Sequence, residues 1–158
     1  MTSPEEVLQS SNEVKVTLML ADYAVVTQDK LTVVGGGWTF TNAQTAPFGI
    51  GAIIEVPWNQ TNQNHKFRLA LTDIDGNPVE VDTPEGTQVV QFEGEFQVGR
   101  PPGVRLGAAI PVPFAINHGP IALEPGSHYV WQFSLNGVEN QDWRLPFSTR
   151  TEAQAQAA

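Results

Sequence analysis

Val90-Gln91-Phe92-Glu93-Gly94-Glu95-Phe96-Gln97-Val98 alternates apolar or small residues with polar ones along its whole length. Successive side chains of a strand point to opposite faces, so this stretch offers one face to a core and the other to water. The pattern recurs on both sides of it. Val14, Val16, Leu18 and Leu20 alternate with Lys15, Thr17 and Met19, and Phe67, Leu69 and Leu71 alternate with Lys66, Arg68 and Ala70. Tyr129, Trp131, Phe133 and Leu135 alternate with Val130, Gln132 and Ser134; Trp143, Leu145 and Phe147 alternate with Arg144, Pro146 and Ser148. Residues 30–40, 48–58 and 106–116 are less regular but still strand-like. Helical spacing is almost absent. About eight strands with turn-rich punctuation predict an all-β fold, an antiparallel two-sheet sandwich of immunoglobulin-like or related type. Runs of unequal length, some holding Pro, favour opposed sheets over a closed barrel. The core is expected at Val16, Leu18, Leu69, Phe92, Phe96, Trp131, Phe133, Leu145 and Phe147.

Turn chemistry tests the registers. After Leu71, a two-residue loop at Asp75-Gly76 would put Glu80 on the face of Leu69 and Leu71. A three-residue loop, Asp75-Gly76-Asn77, puts Val79 and Val81 there instead, and apolar matching favours it. Pro78 cannot donate to a ladder, so the returning arm is expected at an edge or short. Asn136-Gly137 is the strongest two-residue hairpin signal, yet pairing through it sets Trp131 against Asp142 and not Trp143. Either a bulge lies between Val138 and Trp143 or the loop is longer. Gly99-Arg100-Pro101-Pro102-Gly103 is a loop, and Leu123-Glu124-Pro125-Gly126 presets a turn.

Composition narrows the function classes. The 158 residues hold 17 acidic against 8 basic side chains, a net charge of −9 that repels nucleic-acid backbones and anionic membranes. With no Cys there is no disulfide framework, thiolate metal site or thiol nucleophile. No apolar run approaches the ~20 residues needed to span a bilayer, and the acidic, polar N-terminus has neither the basic flank nor the apolar run of a secretory signal. The expected location is cytoplasmic. One domain is expected over residues 13–150, with flexible tails at 1–12 and 151–158.

Two sets of residues carry a family resemblance. Val14 to Ala24 and Leu31 to Trp38, with Ile54-Glu55-Val56-Pro57-Trp58, Gly94 to Gly103 and Asp142 to Phe147, resemble a family of small, functionally uncharacterised bacterial proteins frequent in actinobacteria. The resemblance spans residues 14–150 and implies no catalytic residues. Leu123 to Phe133 is similar to the penultimate hairpin of many immunoglobulin-like bacterial modules, which agrees with the sandwich.

Candidate chemistry is thin. Asp73-Ile74-Asp75-Gly76 invites a calcium loop, but aligning Gly76 to the invariant glycine places Leu71 where the first carboxylate ligand belongs and Asp82 where the last does. His65, His118 and His128 show no metal-ligand spacing, although His118 and His128 flank one loop. Ser, His and Asp are present without a Gly-x-Ser-x-Gly elbow. Gly35-Gly36-Gly37 before Trp38 lacks the rest of a phosphate loop, and reads as a bulge, bend or close backbone approach that lets the chain change sheets. Trp131 and Trp143 share parity with core positions, whereas Trp38 and Trp58 are open candidates for sugar stacking. No catalytic, cofactor-binding or metal residue is assigned, no cofactor is expected, and the chain is not expected to be an enzyme. The expected function is a non-catalytic protein–protein interaction, assembly or accessory module, by partner binding or self-association, with no nucleic acid and no membrane. A carbohydrate- or calcium-binding module is the alternative.

Overall fold

A computed structural model describes residues 13–157; the expected tail at 1–12 lies outside them. The described residues form twelve strands: β1 (Lys15–Ala21), β2 (Tyr23–Thr27), β3 (Lys30–Val34), β4 (Phe40–Thr41), β5 (Phe48–Val56), β6 (His65–Asp73), β7 (Glu80–Thr83), β8 (Gly86–Val89), β9 (Gln91–Phe96), β10 (Ile110–His118), β11 (His128–Leu135) and β12 (Val138–Thr149). Strand accounts for 58% and helix for 6%, so the protein is all-β.

The count and the sheet division correct the expectation. Twelve strands in four sheets replace about eight in two: β1-β5-β10, β4-β12-β11-β6-β9, and the hairpins β2-β3 and β7-β8. Every ladder is antiparallel except β12–β4, where Ser148 and Thr149 run parallel to Phe40 and Thr41. Three local causes add the strands. Gly35 and Gly37, at φ +61° and +92°, break residues 30–40 into β3 and β4. Residues 23–27 are too short to show a period, and the arm after Pro78 leaves β6 to pair with β8. The third strand-like run also starts later than expected, at Ile110, leaving Leu106 82% exposed.

The two larger sheets share one core. Leu20, Ile50, Ile54 and Val56 from one meet Leu69, Leu71, Trp131, Phe133, Trp143 and Phe147 from the other. Each such side chain, fully buried, contributes ~1.5–3 kcal/mol. Leu69, Trp131, Phe133 and Phe147 are buried as expected, while Val16, Leu18, Phe92, Phe96 and Leu145 are half-buried against the same cluster.

Strand β5 explains a third layer. Phe48, Ile50, Ile54 and Val56 turn inward, whereas Gly49 and Gly51 leave the start of the other face flat. A Cβ on Gly51 would sit 3.1 Å from Val33 Cγ2 and 3.2 Å from Leu31 Cδ2, so the β2–β3 hairpin lies on this surface. Asn117 fastens it: Ala24 N–H donates to Asn117 Oδ1 (3.1 Å), and Asn117 Nδ2 donates to the Ala24 carbonyl (2.7 Å). A side-chain amide here stands in for a neighbouring strand. The glycines that follow are a close approach, since a Cβ on Gly36 would lie 2.7 Å from Met19 Sδ. They carry the chain from β3 to β4 in the five-stranded sheet, as the sequence predicts.

The two ambiguous turns resolve. Leu135 pairs with Val138 across Asn136-Gly137, and the register shifts between Gln132 and Ser134, so the bulge alternative holds. Buried Gln132 satisfies it, donating from Nε2 to the carbonyls of Phe133, Asn140 and Trp143. After β6 the loop has three residues but falls one position early, at Ile74-Asp75-Gly76, because Asp73 N–H donates to the Asn77 carbonyl. Val79 still arrives beside Leu71. At the C-terminal end, in the stretch read as a tail, Glu152–Ala157 form a short helix α1. Thr151 and Gln154 cap it reciprocally: Gln154 N–H donates to Thr151 Oγ1, and Thr151 N–H to Gln154 Oε1.

Candidate functional site: a flap-walled acidic cleft

The β7–β8 hairpin departs from the sheet at one triad of main-chain bonds. Val79 N–H donates to the Leu71 carbonyl, Leu71 N–H to the Val90 carbonyl, and Val90 N–H to the Val79 carbonyl. Beyond that knot, among the described residues, the main-chain pairing of Glu80–Val89 stays within the hairpin. Val79 and Val81 root it on the core. The result is a flap.

Between the flap and residues 118–124 lies a cleft of about 700 Å³. The opposite wall is heavily tied. Thr45 N–H donates to the Ile121 carbonyl, Ile121 N–H to Thr45 Oγ1, and Leu123 N–H to the Ala43 carbonyl. Glu124 N–H donates to Tyr129 Oη. The floor is apolar: Val90, Ile121 and the half-buried Phe92, which stacks on Trp131 at 5.9 Å. His118 closes one end, its ring 5.8 Å from Phe48 and 5.7 Å from Phe92. Its Nδ1 faces the Gly119 carbonyl at 2.8 Å and must donate to it, which leaves Nε2 as the ring's free nitrogen.

The rim is acidic. Glu80 and Asp82 stand two residues apart on β7 and Glu124 stands on the fixed wall, while no Lys or Arg lines the cleft. Asp82 Oδ1 accepts from Thr87 Oγ1 at 3.1 Å. The carboxylates of Glu80 and Glu124 have no partner among the described residues. No Ser lines the cleft, and the one hydroxyl there, Thr83 Oγ1, already donates to the Gly86 carbonyl at 2.6 Å. Such a surface can bind, and its one hydroxyl is already engaged.

Of the residues weighed for chemistry in the sequence, His118 and Asp82 line the cleft and the others lie elsewhere. Asp73 braces its own turn: Oδ1 accepts from Asp75 N–H and Asn77 N–H, and Oδ2 from Asn77 Nδ2. The main-chain N–H and then the side chain of Asn77 are the chief causes that hold its carboxyl below the usual value of 3.8. Among the described residues, no three His, Asp or Glu are grouped to hold a metal ion. His65 is buried. Its Nε2 donates to the Gln60 carbonyl, and its Nδ1 accepts from Asn136 Nδ2, whose orientation is set because Asn136 Oδ1 takes Lys66 N–H. His128 is exposed on β11 opposite Ser148.

The two undecided tryptophans are both half-buried and engaged. Trp38 meets Phe48 and Phe147 edge-on. Trp58 is covered by the Arg100 guanidinium, 4.0 Å above its ring, which also donates to Thr61 Oγ1 and the Trp58 carbonyl. The cleft went unseen in the sequence because its residues come from positions 44, 80–83, 88–92 and 118–124, with no spacing to connect them. The available signal was weak: Glu80 and Asp82 alternate with Val79 and Val81 beside a Pro that limits pairing.

A family model described as a family of unknown function (DUF6941) matches residues 16–148. No curated protein and no solved structure matches the chain. Among the described residues, no helix is long and apolar enough to cross a membrane.

Proposed function

The chain belongs to DUF6941, and because that family carries no assigned function, we propose from the chain's own geometry that it is a non-catalytic module which binds a segment of a partner protein. The observation that carries this reading is the cleft: about 700 Å³, an apolar floor and an acidic rim, between one braced wall and one wall held at its stem. Ligand sites combine an apolar floor with a few placed polar groups in this way. A flap joined to the body by few main-chain bonds can open locally at low cost, as binding loops do. The domain that presents it is taken as a sandwich of the three- and five-stranded sheets, related to immunoglobulin-like modules and working in the cytoplasm; the core shared by both sheets supports the first part.

The test is comparative capture from the native host. Ala122→Trp puts a large ring into the cleft from an exposed position of the braced wall and replaces no core residue. A protein retained by the wild type and lost with the filled variant, while a Leu106→Trp control still retains it, is the expected result. An identical set of bound proteins for all three would reject the cleft as the binding surface.

A further inference from the structure

We infer that the occupant of the cleft is a basic segment, an extended stretch of a partner protein that presents Arg or Lys. This rests on the reading of the cleft as the partner-binding surface. Complementarity of charge and shape carries it. Glu80, Asp82 and Glu124 ring an opening that contains no cation, and all three are exposed. All eight Lys and Arg side chains of the protein lie outside the cleft lining, so nothing in the described chain neutralises the rim. Alternate residues of a strand are ~6.5–7 Å apart along one face. Glu80 and Asp82 therefore match the same spacing in an extended segment with basic residues at alternate positions.

Beneath the rim, Phe92, Ile121 and Val90 offer an apolar bed. Arg and Lys lay their aliphatic stems on such surfaces while the charged head stays at the rim. The amides of Gln44, Gln88 and Gln91 along the same lining can take the segment's main-chain groups. An acidic segment would place like charges together. A purely apolar one would leave the three carboxylates facing nothing.

The second cavity on the flap's other side is a contrast. At about 260 Å³, it is smaller and includes Arg68 and Arg144 with Asp73, Asp75 and Glu139, so its charges are mixed. Its Arg144 Nε already donates to Gln132 Oε1 at 2.6 Å.

The experiment uses the full chain and four hexapeptides, Ac-Ala-Ala-X-Ala-X-Ala-NH2, where X is Arg, Lys, Gln or Glu, titrated by two-dimensional amide NMR at low and at physiological salt. The Arg and Lys peptides should shift amides of residues 80–83, 88–92 and 118–124, and the Gln and Glu peptides should not. Glu80→Gln/Asp82→Asn/Glu124→Gln should weaken binding about tenfold, because the peptide's two basic side chains lose their rim partners. A control removing three charges from the outer sheet face, Glu93→Gln/Glu95→Gln/Glu139→Gln, should change it less than about twofold. Equal loss in both variants would mean bulk charge and overturn the inference, as would a Gln peptide binding as well as the Arg peptide. If no peptide binds while Ala122→Trp still abolishes capture, the basic occupant is rejected and the partner-binding reading stands.

Discussion

Asn117→Ala tests whether one side chain fastens the third layer of the fold. Asn117 makes two hydrogen bonds to a single residue, accepting from Ala24 N–H at 3.1 Å and donating to its carbonyl at 2.7 Å. Ala24 is 0% exposed, so both of its main-chain groups lose their partner at a buried position. Leaving a buried donor or acceptor unsatisfied costs ~1–3 kcal/mol. Asn117 itself is exposed, so water reaches part of the gap; the sum for the two groups is set at about 2–4 kcal/mol. Urea unfolding followed by circular dichroism measures the total, and amide exchange at Ala24 locates it. Exchange at Ala24 should accelerate more than at Ile54, which is buried in β5. Asn117→Asp separates the two bonds, because a carboxylate still accepts from Ala24 N–H but confronts the carbonyl with like polarity. It should stabilise less than Asn and more than Ala. A loss under about 0.5 kcal/mol with unchanged Ala24 exchange would refute the fastening role.

Three other outcomes are expected. Trp131→Ala should cost about 3–5 kcal/mol by denaturant unfolding, and Phe92→Ala about 2, because Trp131 is 1% exposed whereas Phe92 is half-buried. A larger loss for Phe92 would contradict that order. Gly94→Ala should destabilise by about 1–3 kcal/mol, since the new Cβ would lie 2.7 Å from Phe67 Cε1 in a ring stacked on Phe133; equal stability would show that the ring yields freely. In an NMR pH titration the Asp73 carboxyl should have its midpoint below 3.8, because the Asn77 main-chain and side-chain N–H groups favour its charged form. The turn's contribution is then complete above the unfolded value and fades as pH falls through the lower folded one; a midpoint at or above 3.8 would exclude the bracing.

Several features of the fold were legible in residue order because they depend on neighbours two to four positions apart. Alternation in residues 66–71 and 129–135 reads out directly as one face against a core, and it placed Leu69, Trp131 and Phe133 correctly. Asn136-Gly137 announced its turn because both residues tolerate positive φ, observed at +51° and +80°. Parity left a bulge or a longer loop open, and the register shift beside Gln132 decides for the bulge. The loop after β6 was right in length and wrong by one position, since Asp73 braces the turn with a side-chain oxygen that the register argument did not count.

What the chain order determined, then, was the strand period, the inward faces, the break at glycines 35–37 and the absence of any thiol chemistry. Tertiary structure decided the rest. Phe48-Gly49-Ile50-Gly51 reads as one more strand until the β2–β3 hairpin is seen lying on its glycines, and Asn117 pairs with a residue 93 positions away. The cleft is likewise a product of assembly: Glu80, Asp82, His118 and Glu124 meet only because β6 hands its hydrogen bonds from Val79 to Val90 and releases the intervening hairpin. Local sequence governs which way a side chain points, through steric and solvent preferences of its own backbone. Which distant side chains share a surface depends on where the main-chain bonds are spent, and that is a property of the folded sheets.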